Sequence, residues 1–167
     1  MKSTKIIGSV GILLILAACS TITTEPMKKD QSSSQSSQSS CGPYGCSLPL
    51  TEEQKNVLYH GGTEAPFTSP LNDEHRKGTF VAADTGEPLF RSEAKFNSGT
   101  GWPSFFEPIN SGAVVLKEDG TLGMTRTEVL TKEGSHLGHV FDDGPQPTGK
   151  RYCMNGAALR FVPDEKQ

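Results

Sequence analysis

The order of apolar and polar positions divides the chain into stretches of different character. Residues 6–18 form one apolar run behind Lys2 and Lys5. It falls short of the roughly 20 residues that a membrane-crossing helix needs, so residues 1–18 read as a secretory signal segment. Between residues 20 and 40 almost nothing is apolar, and the tract QSSSQSSQSS cannot offset its own ordering entropy. Residues 19–46 are therefore expected to be a flexible tether, and residues 47–167 the folded domain. In that domain Leu50, Val57 and Leu58 give an apolar helical face. Thr51 with Gln54 is a capping-box start and Gly61-Gly62 an end, which predicts one short helix.

From Gly78 the pattern changes to β. Residues 79–82, 88–90, 113–116, 127–130, 139–141, 151–154 and 159–162 are short runs punctuated by Gly, Pro, Asp and Asn. They predict an all-β fold, an antiparallel β-sandwich or rolled barrel. KEDGT at 117–121 is expected to turn between two runs. Residues 98–106 are expected to be loop, because Gly99, Gly101 and Pro103 oppose regular structure. About 115 residues suffice for one core without a staple.

Charge and cysteine placement add the compartment. The formal charge of -3 becomes -5 once the leader removes Lys2 and Lys5, and with no basic patch the composition excludes nucleic acid as the expected partner. Leu16-Ala17-Ala18-Cys19 resembles the lipobox of bacterial lipoproteins, which implies cleavage before Cys19 and its acylation. The expected location is the cell envelope, lipid-anchored and extracytoplasmic. Ser20 after the cysteine resembles the outer-membrane pattern of a two-membrane bacterium. An ordinary signal peptide with an incidental cysteine is the alternative. Cys41 and Cys46 have three readings: a disulfide with each other, a metal site, or redox partnership with Cys153.

Candidate chemistry concentrates in residues 134–160. The alternation around His139, Val140 and Phe141 and the run at 151–154 suggest two strands joined by the turn signal Asp142-Asp143-Gly144-Pro145. That arrangement would set His136 and His139 beside Cys153. A thiol is nucleophilic only as thiolate, a form favoured by cations such as Lys150 and Arg151. Cys153 is thus a candidate nucleophile, with His139 as proton donor and Asp143 as its orienter. A lone strand cysteine can equally be a small buried apolar residue. His60 and His75 read as surface residues.

The runs SHLGHVFDDGP, RYCMN and SGTGWPSF resemble the methionine sulfoxide reductase B family, over residues 49–162. The resemblance implies reduction of the R epimer of methionine sulfoxide, in proteins or peptides, through a Cys153 sulfenic acid. It further implies that His139 and His136 donate to the sulfoxide oxygen, that Asp143 and Asn155 order water and the histidine, and that Arg151 steadies the thiolate. Trp102 and Phe141 would line the methyl pocket, and short helices would precede the sheets. Many members hold zinc with two CxxC pairs, but here the matching positions are Ala82, Thr85, Leu130 and Glu133, so no zinc or other cofactor is expected. Many resolve the sulfenic acid with a cysteine where Thr100 stands, which leaves Cys46 or Cys41 as the expected resolving thiol and a thioredoxin-like protein as reductant. The protein is expected to be a monomer.

Two other classes compete. One is a lipid-anchored binding module whose His136, His139 and Cys153 hold zinc or copper. A strand should point the rings of His-x-x-His to opposite faces, which counts against it. The other is a thiol–disulfide oxidoreductase using Cys41 and Cys46, whose spacing is longer than CxxC.

Overall fold

The computed structural model describes residue 44 and residues 49–165. The signal segment, the acylation site Cys19, and Cys41 and Cys46 lie outside the described residues. Helix α1, Glu52–His60, starts as its sequence directs: the Thr51 hydroxyl accepts from the Gln54 N–H, and the Gln54 side chain accepts from the Thr51 N–H. Gly61 ends it in left-handed backbone at φ 65°, a conformation open to glycine. Val57 and Leu58 are buried, and the helix rests on strand β7, His136–Phe141, and on the short 3-10 turn Gly156–Ala158.

The other strands described are β1 Gly78–Ala82, β2 Pro88–Arg91, β3 Lys95–Phe96, β4 Ser104–Phe105, β5 Val115–Asp119, β6 Arg126–Leu130, β8 Arg151–Met154 and β9 Leu159–Pro163. They form two antiparallel sheets, β2-β1-β9 and β3-β4-β8-β7-β6-β5, an all-β architecture as the apolar runs imply. An aromatic cluster sews the sheets together. Phe90 of the smaller sheet stacks on Phe105 of the larger at 4.4 Å, and Phe80 meets Phe105 edge-on at 4.9 Å. Each such ring contributes about 1.5–3 kcal/mol by burial.

Two segments differ from expectation. Residues 117–119 do not turn. They are strand, because Lys117, Glu118 and Asp119 pair in register with Glu128, Thr127 and Arg126, and an exposed edge strand tolerates polar residues on both faces. Nor is 98–106 all loop. The glycines bend the chain at 99 and 101, but Ser104 and Phe105 then pair with Cys153 and Tyr152 on one side and with Phe96 and Lys95 on the other.

The feature that shapes the site is a bulge in β7. Val129 pairs with Gly138 while the next residue, Leu130, pairs with His136, so Leu137 is an extra residue on that strand. Leu137 and Gly138 are both buried, and the alternation changes phase between His136 and His139. A second irregularity is Phe67, the one non-glycine residue with positive φ (66°) among the described residues. Its left-handed backbone costs about 1–2 kcal/mol.

Candidate active site

Strand period places the chemistry. Along β8, Tyr152 and Met154 are buried while Arg151 and Cys153 are only partly so, hence Arg151 and Cys153 share the face away from the core. Cys153 lies directly opposite His139 on β7 and opposite Ser104 on β4, and Phe141 lies opposite Arg151. The cross-strand row continues from His139 to Glu128 on β6 and Lys117 on β5. Directly opposite residues bring their Cβ atoms to about 5 Å. This close approach depends on Gly138, where a Cβ would fall 2.2 Å from the Cys153 carbonyl oxygen.

Because of the bulge, His136 and His139 stand together, with ring centroids 5.5 Å apart. The expectation that their rings point to opposite faces is corrected: it holds for a regular strand, and this strand carries an extra residue. His136 Nδ1 bonds Glu128 Oε1 at 2.7 Å, and its buried Nε2 has no partner among the described residues. His139 Nε2 bonds Asp119 Oδ2 at 2.9 Å. Asp119 in turn accepts from Arg126 at 2.7 Å. Burial holds the His139 imidazole below its ordinary pKa, with the Asp119 hydrogen bond acting the other way. Asp119 itself stays well below the usual carboxylate range, first through Thr121.

Asp143, expected to orient His139, does not reach it. Both its oxygens are held by Arg151 at 2.8 Å, because the turn after β7 returns it beside the start of β8. Arg151 is raised above its ordinary pKa first by this pairing, and also by the neighbouring Cys153 sulfur. Its guanidinium covers the Phe141 ring at 4.4 Å. Asn155 is a buried strut: its oxygen accepts from the Glu64 N–H at 3.1 Å and its amide donates to the Leu137 carbonyl at 3.1 Å. Asp119, Arg126 and Glu128 escaped the sequence reading because their strand neighbours, not their sequence neighbours, bring them to the site. His60 and His75 are exposed, as expected.

Cys153 borders a shallow cleft of about 130 Å³ walled by Trp102, Phe141, His139 and Arg126, with Thr63, Gly138 and Asn155 behind. Trp102 is fixed by its indole N–H, which donates to the Glu64 carbonyl at 3.1 Å. Glu64 is buried, and its carboxylate caps Gly156 and Ala157, so one residue ties Trp102 to the chain just past Cys153. Thr100 Oγ1 lies 3.7 Å from Cys153 Sγ. Cys153 is a free thiol, and among the described residues no cluster of His, Cys, Asp and Glu could hold a metal ion.

At the four positions matched to zinc cysteines by the resemblance, only Thr85 and Glu133 carry ligand atoms, so the donor set is incomplete. Ala82 is fully buried and Leu130 has no ligand atom, while the Thr85 hydroxyl accepts from the Glu87 N–H. A polar clasp joins the same two loops: Ser135 donates to Asp84 at 2.6 Å, and Lys132 pairs with Glu87 at 3.2 Å.

An unpaired thiol, cross-strand from an imidazole and under an aromatic wall, is an arrangement suited to thiol chemistry. The SelR domain pattern matches residues 50–163. The chain is 53% identical over 117 residues to a peptide methionine sulfoxide reductase MsrB of Thiobacillus denitrificans, covering 70% of this chain and 89% of that one. It is 52% identical over 113 residues to the enzyme of that name from Leptospira interrogans, covering 67% and 86%. A Vibrio cholerae peptide methionine sulfoxide reductase MsrA/MsrB is 52% identical over 118 residues, and there the match spans 70% of this chain but 31% of the longer protein. The chain belongs to the SelR-domain family of methionine sulfoxide reductases of the B class, and is an oxidoreductase of that kind.

Proposed function

We propose that the protein reduces the R epimer of methionine sulfoxide in proteins or peptides, by the following route. The Cys153 thiolate attacks the sulfoxide sulfur from the cleft floor while the methyl group lies between Trp102 and Phe141. His139, with His136 beside it, supplies a proton to the oxygen, and the fixed charge of Arg151 stabilises the thiolate. The oxygen passes to the cysteine: methionine leaves as thioether, and Cys153 remains as sulfenic acid, oxidised by two electrons. A second thiol condenses with it, forming a disulfide and releasing water, and a thioredoxin-like dithiol reopens that disulfide. The reading rests above all on Cys153 facing His139 in strand register.

Cys46 or Cys41 is proposed as the second thiol. Thr100 occupies the loop position nearest Cys153 and carries no sulfur. Tyr44, which stands between the two cysteines in sequence, has its carbonyl bonded by Arg160 of β9 at 3.1 Å. The protein is further proposed to act as a monomer, without zinc or other cofactor, held to a bacterial envelope by lipid on Cys19. The outer membrane, on its periplasmic side, is the proposed site in a two-membrane organism, and the role is repair of oxidised envelope proteins. Among the described residues no helix is long and apolar enough to cross a membrane.

One experiment tests the chemistry. Each epimer of a methionine sulfoxide peptide is supplied with dithiothreitol, and then with thioredoxin, its reductase and NADPH. Turnover of the R epimer alone, abolished by Cys153→Ser, is expected. The Cys41→Ser/Cys46→Ser chain should keep dithiothreitol turnover and lose the thioredoxin-supported rate. R-epimer turnover by Cys153→Ser would refute the nucleophile.

A further inference from the structure

Phe67 is irregular in two respects. It holds left-handed backbone at φ 66°, which bulky residues rarely adopt, and the residue is 73% exposed, more than any other large apolar residue whose exposure is described. Such conformations persist only where the surroundings over-determine them, and they collect at ligand-binding sites. What holds Phe67 is the loop of the catalytic cleft. Its N–H donates to the Gly101 carbonyl at 2.7 Å. A Cβ on Gly101 would fall 2.7 Å from Pro66 Cβ and 2.9 Å from Phe67 N, so the two segments touch without room for a side chain. Gly101 stands between Thr100, which touches Cys153, and Trp102, which walls the cleft. The Phe67 backbone is therefore tied to the loop that carries Thr100 and Trp102. Beside it lies a second hollow of about 140 Å³, with Phe67, Phe96 and Trp102 on its apolar side and Asp73, His75 and Lys95 among its polar groups. Trp102 belongs to both hollows, so the two adjoin at its side chain.

We infer that Phe67 and this second hollow receive an apolar side chain flanking the oxidised methionine of a polypeptide substrate. The inference rests on the reductase reading above and names the substrate form it favours. A free amino acid ends at the Cys153 cleft. A polypeptide must continue out of it, and an extended chain advances about 3.3 Å per residue, which carries its next side chains past the Trp102 wall. Methionine belongs to apolar segments, so its neighbours are often apolar as well. An exposed ring carried on a segment tied to the cleft loop is the surface such a neighbour would cover.

The test compares three substrates with dithiothreitol as reductant: N-acetylmethionine R-sulfoxide, a peptide with the oxidised methionine between glycines, and one with it between leucines. The unaltered chain should prefer the leucine peptide about tenfold in kcat/KM, mainly through KM, the scale that one apolar contact supplies. Phe67→Asn keeps a residue that tolerates left-handed backbone and removes the ring. It should lower that preference to less than about twofold, with the rate on N-acetylmethionine R-sulfoxide changed by no more than about twofold, while Phe67→Leu should retain most of the preference. If the Asn variant does not fold, Phe67→Gly supplies the same comparison without backbone strain. A leucine preference that survives loss of the ring would overturn the inference, as would an equal fall on all three substrates. Absence of turnover on every substrate by the unaltered chain would instead overturn the reductase reading.

Discussion

At the scale of single residues, the site depends on which carboxylate serves His139. Asp143 is nearer in sequence, but its two oxygens are occupied by Arg151, and the imidazole bonds Asp119 from the far edge strand. Burial lowers the His139 pKa and the Asp119 carboxylate opposes that lowering. Asp119→Asn therefore moves the pKa further down. A smaller fraction of His139 is protonated at any given pH, and the limb on which the rate falls with rising pH shifts to lower pH. The expected outcome is a kcat at pH 7 reduced by about 10²-fold, the scale of general acid catalysis. Asp143→Asn should leave the position of that limb unchanged. A pH–rate series on the two variants checks this, and a shift in Asp143→Asn alone would reverse the assignment. Cys153 and both histidines could be nominated from the sequence, because side chains of that chemistry are scarce and cluster there. Asp119 and Glu128 were not, since a cross-strand partner carries no signature in local order.

At the scale of elements, the paired strands β7 and β8 are the device, and the bulge at Leu137 makes it work. A regular strand would turn one histidine into the core, whereas the extra residue sets His136 beside His139, which faces the thiol. Gly138 is the price of bringing the strands so close, since any Cβ there meets the Cys153 carbonyl and the Met154 methyl. Gly138→Ala should destabilise the fold by about 1–3 kcal/mol, the usual penalty for overpacking. It should also lower kcat/KM at least about tenfold, because a shift of order 1 Å in a positioned nucleophile has that effect or more. Urea unfolding and steady-state kinetics read the two effects separately. The helix was readable from its capping box and the long strands from their apolar runs. Strands β3 and β4 were not, because two residues cannot display a period, and the polar edge strand β5 was displaced because pairing partners rather than apolar content hold it.

At the scale of the whole molecule, two sheets joined by Phe80, Phe90 and Phe105 hold the site on the outer face of the larger one. The loops after β1 and β6 meet through Ser135 with Asp84 and Lys132 with Glu87. The donor set there does not fit a metal, so stability should not depend on one: EDTA is expected to leave Tm unchanged, while Asp84→Ala costs about 1 kcal/mol through the lost Ser135 hydrogen bond. Calorimetry with and without chelator decides the point. The sequence alone determined the β class and the helix with its caps, and it nominated Cys153, His136 and His139 as the candidate thiol and imidazoles, because periodicity, capping and side-chain chemistry are local properties. Only the tertiary structure decided that His136 and His139 share a face, that Asp119 rather than Asp143 bonds His139, and that Phe67 is tied to the loop carrying Trp102. Each of these follows from strand register, a bulge or loop contact between residues distant in the chain, and such pairings are selected by the packing of the folded whole.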